Sequence, residues 1–160
     1  MSIGRFYAMV GALLRRPVDG KYLVLKRSAE KDFAAGTWEC TTGRVDQGER
    51  FTDAVRREVR EELDVEVQVD FIIGTAHFYR GEASPENEIV GVVYCCSIEN
   101  PGDIRTSWEH SEYRWVTAEQ ALELFPENHW LREVIQRAEA IRALLPAELQ
   151  AYYRKKGFEL

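Results

Sequence analysis

Residues 43–65 read GRVDQGERFTDAVRREVREELDV, and both architecture and chemistry turn on how this stretch folds. Thr52 is a suitable N-cap for a helix running through Leu63. On a wheel of about 100° per residue, Glu58, Glu61 and Glu62 share an arc of roughly 100°. Val55, Val59 and Leu63 lie beside that arc, while Asp53, Arg56 and Arg60 lie on the solvent side away from it. The three carboxylates therefore sit at the margin of the buried stripe, not in the middle of the wet face. Like charges three or four residues apart repel by about 0.2–0.5 kcal/mol when exposed, and partial burial makes this worse. A hard divalent cation such as Mg²⁺, which takes oxygen ligands and shares phosphate oxygens, removes the repulsion. The alternative is a solvated Arg/Glu helix held by pairs such as Arg57 with Glu61.

Working outward, Phe6 to Arg15 reads as a buried strand, Pro17-Val18-Asp19-Gly20 as a turn and Lys21 to Arg27 as the returning strand. Ser28 to Gly36 is a polar loop, and Thr37 to Thr42 a short strand ended by Gly43. Val65 to Ile73, Glu88 to Ile98 and Glu112 to Val116 read as further strands, the second so apolar that it belongs inside a sheet. Thr117-Ala-Glu-Gln120 has the form of a capping box and opens a helix to about Phe125. Trp130 to Leu145 is amphipathic, Pro146 breaks it, and Ala147 to Lys156 forms a last helix. The fold class is α/β or α+β, a mixed sheet packed by helices in a single domain spanning 1–160.

With 45% apolar and 30% charged residues, 11 Gly and 5 Pro, the 160-residue chain is neither disordered nor fibrous. Its net charge of −6 argues against binding duplex nucleic acid, whose phosphates are neutralised by Lys and Arg. Between Gly43 and Glu66, eight acids face five arginines. The longest apolar stretch, Phe6 to Leu14, falls far short of the roughly 20 residues a membrane helix needs, and no signal-cleavage pattern follows it. Cys40, Cys95 and Cys96 form no C-x-x-C pair, and adjacent Cys95 and Cys96 point to opposite faces of a strand. A reducing, cytoplasmic setting without membrane association is the expectation.

Gly43, five residues, Glu49, seven residues, then Arg57-Glu58-Val59-Arg60-Glu61-Glu62-Leu63-Asp64-Val65 resembles the signature of the Nudix hydrolases. Every fixed position matches except that Asp64 stands where the family has Gly. That Gly ends the helix, and Asp is among the few other residues that tolerate a left-handed backbone there. Thr41-Thr42-Gly43 also departs from the Pro-Gly-Gly of many relatives. The preceding strands, the apolar strand after the box and the late SEYRWVTAEQAL stretch extend the likeness over most of the chain.

The resemblance implies an α/β/α sandwich with a loop-helix-loop catalytic motif that hydrolyses a nucleoside diphosphate linked to another group. It implies that Glu58, Glu61 and Glu62 bind Mg²⁺ or Mn²⁺, that Arg57 orients these carboxylates, and that Gly43 and Glu49 shape the loop before the helix. The general base is Glu58 or an acid of a late loop, where Glu112 and Glu109 stand; Glu88 is a weaker candidate. Candidate substrate-binding residues are Arg27, Gly43, Trp38 and Tyr79, with Phe78 and Trp108 as further stacking aromatics. His77, His110 and His129 show no metal spacing and read as structural. Signatures of ADP-ribose, NADH and coenzyme A hydrolases are not seen, which favours a nucleoside triphosphate or analogue. A non-catalytic ligand-binding sensor and an isoprenoid diphosphate isomerase are the competing functions. The Trp130 helix and the aromatics Tyr152, Tyr153 and Phe158 either cover the sheet or form a homodimer contact.

Overall fold

A computed structural model describes residues 5–98, 100, 102 and 104–160. Strand β1 (Tyr7–Arg15) turns through residues 16–21 into β2 (Tyr22–Arg27). The turn is closed by Arg16 N–H to the Lys21 carbonyl at 2.9 Å, and Gly20 supplies its positive φ of 74°. Beyond the Arg15–Tyr22 pair the two strands part, and residues 38–44 lie between them. Strand β3 (Trp38–Glu39) pairs with β2, whereas β4 (Thr41–Arg44) pairs with β1. The expected single strand over 37–42 is thus broken at Cys40, and Gly43 lies inside β4 rather than ending it.

Helix α1 (Phe51–Leu63) follows, then β5 (Gln68–Tyr79), β6 (Glu88–Ser97) and β7 (His110–Val116). β6 runs parallel to β1 and antiparallel to β5, an interior position consistent with its apolar sequence. β7 lies antiparallel on β2. Helices α2 (Ala118–Leu124), α3 (Trp130–Leu144) and α4 (Ala147–Lys156) complete the chain.

Alternation along the strands divides the core. Val10, Ala12, Leu14, Leu23, Leu25 and Cys96 pack with Ala54, Val55, Val59 and Leu63 of α1. Leu13, Tyr22, Val24 and Cys95 pack on the other face with Ala121 of α2 and Leu131, Ile135 and Ala138 of α3. The mixed sheet carries helices on both faces, and Cys95 and Cys96 enter opposite cores. Cys40, Cys95 and Cys96 are all free and buried.

The α2 capping box forms as read. Gln120 N–H donates to Thr117 Oγ1 at 3.2 Å, and Thr117 N–H donates to Gln120 Oε1 at 2.9 Å. The start of α1 differs from its sequence reading. Arg50 occupies the N-cap position without a side-chain bond, and Thr52 lies buried inside the first turn. The orphan amide of Thr52 donates instead to Glu159 Oε1 at 2.9 Å. Phe158 brings Glu159 there by stacking on Tyr153 at 4.8 Å and meeting Tyr94 edge-on. Arg154 anchors α4 through a 2.9 Å bond to fully buried Asp70.

The end of α1 follows the sequence reading. Asp64 is left-handed (φ 57°, ψ 35°), and its N–H closes the helix on the Arg60 carbonyl at 2.9 Å. This turn delays β5 to Gln68, past the expected Val65 start, and β5 then runs to Tyr79 through two irregularities in its register with β6. Glu159→Ala removes the only side-chain cap of α1 seen among the described residues. It should cost about 1 kcal/mol, lowering the midpoint by roughly 2–4 °C in thermal unfolding.

Candidate functional site

α1 presents its acids in graded burial. Glu61 is exposed, Glu58 half-buried, and Glu62 only 4% exposed. Gly43 of β4 explains how Glu58 lies so close to the sheet. A Cβ at Gly43 would stand 1.8 Å from Glu58 Cδ, so only glycine leaves room for this side chain.

Arg57 ties the acids to the loop before the helix. Its Nε and Nη2 donate to the two oxygens of Glu49, both at 2.8 Å. Nη1 reaches Glu58 Oε1 at 2.7 Å and Glu61 Oε2 at 3.4 Å, and Nη2 also bonds the Arg44 carbonyl at 2.8 Å. Glu49 further accepts from the Asp46 amide at 3.0 Å. Arg57 and this amide together hold the Glu49 carboxyl at about 2, while Glu49 first and Glu58 second push the Arg57 guanidinium up.

Glu58 and Glu62 behave in the opposite way. Burial is the main cause that raises both. Arg57 opposes the shift at Glu58, whereas the charges of Glu39, Glu58 and Glu109 push Glu62 well above the usual carboxylate range. Glu62 Oε2 is buried without a hydrogen-bond partner.

Behind Glu62 lies a group that sequence reading left unassigned. Glu39 of β3 is buried, and Arg27 Nη1 donates to both its oxygens at 2.7 and 2.8 Å. His110 Nε2 stands 2.9 Å from Glu39 Oε1, and His110 Nδ1 stands 3.9 Å from Glu62 Oε2. Arg27, a candidate phosphate ligand from the sequence, thus spends its Nη1 on Glu39 and its Nε on the Phe33 carbonyl. The one signal for Glu39 in the sequence is an acid between Trp38 and Cys40 in an otherwise strand-like run.

The late loop is fastened to the end of α1. Ser107 N–H donates to the Glu62 carbonyl at 2.8 Å and Arg105 N–H to that of Leu63 at 3.0 Å. Within it, Glu109 pairs with Lys31, and its charge is felt at both Glu58 and Glu62. Glu112 instead pairs with Arg114 at 2.6 Å and Lys26 at 3.9 Å. The register shift between Lys26 and Arg27, opposite Ser111, separates the two acids into these different surroundings.

The remaining candidates are spread around the sheet. Trp38 lies under Lys26 and Arg114, at 6.0 and 4.9 Å from its ring centre. Exposed Tyr79 meets His77 edge-on, and His77 Nε2 is 2.9 Å from Glu88. Trp108 is exposed with Lys31 over its ring, Phe78 is exposed at the end of β5, and His129 stacks on Phe125 and caps α3.

Among the described residues, no three acidic, histidine or cysteine side chains are gathered closely enough to hold a metal ion as they stand. The donor set nevertheless fits a hard divalent cation in kind, with three carboxylates on one helix edge and an unpartnered oxygen on Glu62.

A family model for the NUDIX domain matches residues 6–138. The chain belongs to the Nudix family. It is 32% identical over 145 residues to the CTP pyrophosphohydrolase of Escherichia coli (strain K12), a match covering 88% of this chain and 96% of that one. It is 30% identical over 125 residues to an octanoyltransferase of Myxococcus xanthus, covering 78% of this chain but only 34% of that longer protein. The MutT protein from Methanosarcina mazei Go1 superposes with a TM-score of 0.72 at 26% identity, covering 89% of this chain and 99% of that one. Nudix hydrolases generally use divalent metals.

Gly43→Ala should leave a folded protein whose activity falls at least tenfold, because the new methyl displaces Glu58; circular dichroism and turnover measured together check this. Glu62 gives a pH prediction. A raised carboxylate binds its proton more tightly folded than unfolded, so its stabilising contribution is lost as pH rises from about 4.5 through the folded value. In EDTA, Glu62→Gln should therefore melt higher than wild type at pH 8, with the gap closing towards pH 4.

Proposed function

We propose that this Nudix protein hydrolyses the pyrophosphate linkage of a nucleoside triphosphate or analogue, using Mg²⁺, or Mn²⁺ in its place. The observation that carries the reading is the Arg57 hub. It joins Glu49, Glu58 and Glu61 beside buried Glu62, with the spacing of the family signature. Similarity to a CTP pyrophosphohydrolase over nearly the whole of both chains supports a nucleoside triphosphate substrate.

In this reading Glu58, Glu61 and Glu62 hold the metal. Bound there, Mg²⁺ would neutralise phosphate charge and make water more acidic. Arg57 keeps Glu58 and Glu61 aimed, and Gly43 gives Glu58 its path along β4. A carboxylate accepts the proton of the attacking water. Glu58 is the first candidate for that role, and Glu109 is preferred to Glu112 as the late-loop candidate because its charge acts on both Glu58 and Glu62. Arg27 acts through Glu39 rather than on phosphate.

The whole chain 1–160 works as one domain in this proposal, since Phe158 and Glu159 close on Tyr94 and Thr52. Three buried free cysteines favour a cytoplasmic setting, and the net charge of −6 disfavours duplex nucleic acid. Among the described residues no helix is long and apolar enough to cross a membrane. Exposed Trp130, Leu144 and Tyr152 leave room for pairing of two copies, which sedimentation of the purified chain would settle.

Pyrophosphate release should appear with at least one nucleoside triphosphate in Mg²⁺ and vanish in EDTA, and Glu62→Gln should reduce it at least a hundredfold. Metal-independent release, or equal rates for the variant and wild type, would remove the proposal. Loss in Glu109→Gln with activity retained in Glu58→Gln would assign the proton acceptor to the late loop.

A further inference from the structure

We propose that Lys31 is a ligand for the phosphate chain of the substrate, held by Glu109 in the free protein and given up to phosphate when the nucleotide enters; the inference rests on the nucleoside triphosphate reading above. Lys31 stands in the loop between β2 and β3, with its side chain 16% exposed. Its ammonium pairs with Glu109 and lies 5.1 Å from the ring centre of Trp108. Backbone bonds fix this pair at the edge of the acidic site. Ser28 N–H donates to the Glu109 carbonyl at 2.8 Å, and just before Glu109 in the chain, Ser107 N–H donates to the Glu62 carbonyl at 2.8 Å. The charge of Glu109 accordingly acts on both Glu58 and Glu62.

Phosphate oxygens entering a site rich in carboxylates call for protein cations with donors to spare. Arg57 is spent on Glu49, Glu58, Glu61 and the Arg44 carbonyl, and Arg27 on Glu39 and the Phe33 carbonyl. Lys31 is different. Its ammonium has several donors, and Glu109 is its single carboxylate partner among the described residues. The Glu109 side chain is 34% exposed, so the pair is open to exchange and contributes little stability. Nor does the loop depend on it. The Ser28 amide bonds the Glu109 carbonyl, Arg27 Nε bonds the Phe33 carbonyl, and Arg80, just past β5, pairs with Asp32. Phosphate carries more charge than one carboxylate and competes for the ammonium, while Trp108 covers one side of it throughout. When Lys31 turns to phosphate, Glu109 is left as a carboxylate without its cation, beside Glu58 and Glu62 and open to a proton from water.

Calorimetric binding of inorganic tripolyphosphate to the full chain in Mg²⁺, beside the KM for a nucleoside triphosphate, tests the inference. Lys31→Met should weaken tripolyphosphate binding about tenfold and raise KM by a similar factor, with most of the loss in KM rather than kcat. Lys31→Arg should keep most of the affinity; a loss as large as in Lys31→Met would show that phosphate does not meet the charge at this position and would overturn the proposal. Glu109→Gln releases the ammonium and should tighten tripolyphosphate binding, with a smaller gain when Lys31→Met is also present. Equal gains in the two backgrounds would make Glu109 only a like charge opposing phosphate, and would overturn the exchange. Should Lys31→Met fail to fold, Lys31→Gln should show the same losses. Affinity and KM both unchanged in a folded variant, with the wild type hydrolysing a nucleoside triphosphate, overturn this inference alone. A wild type that neither binds tripolyphosphate nor hydrolyses any nucleoside triphosphate overturns the functional reading beneath it.

Discussion

Five oxygens from four groups converge on one guanidinium, and the placement of the acidic helix follows from that convergence. Arg57 satisfies both oxygens of Glu49, one of Glu58, one of Glu61 and the Arg44 carbonyl. A lysine could not do this, because the planar fork meets Glu49 with two parallel bonds and still has Nη1 free to turn to the helix. The loop between β4 and α1 is thereby stapled to the middle of the helix. Once that staple is set, Gly43 must lie under Glu58, and the end of α1 must meet the loop that carries Ser107.

Glu62 lies beyond the reach of this cation, and that division of labour gives the site its character. The charge nearest to it comes from other acids, and burial deprives it of water. The arrangement costs stability in the absence of a cation, as is common where a functional group must be poised before its ligand arrives. Arg27 serves the layer behind. It compensates Glu39 so that a second buried acid can stand beside Glu62 and carry His110.

Much of this was legible in the residues because it depends on local periodicity. The helix wheel put Glu58, Glu61 and Glu62 together at the margin of the buried stripe, strand alternation sent Cys95 and Cys96 to opposite cores, and Asp64 adopted the left-handed turn that its chemistry permits. What escaped depends on partners distant in sequence. Thr52 has the composition of a cap, yet the amide it leaves open is taken by a residue 107 positions away. His110 and Glu39 are 71 positions apart, and nothing in either neighbourhood announces the other. Glu109 and Glu112 look interchangeable until the register shift at Ser111 gives them different neighbours.

The long reach of Glu159 has a consequence for how the protein comes into being. During synthesis at about 5–20 residues per second, some 5–20 seconds separate the emergence of Thr52 from that of Glu159. Throughout that interval the first turn of α1 has an open amide, and the core cluster it belongs to lacks Phe158. The helix that bears the acids is thus finished late, after every strand of the sheet has been made.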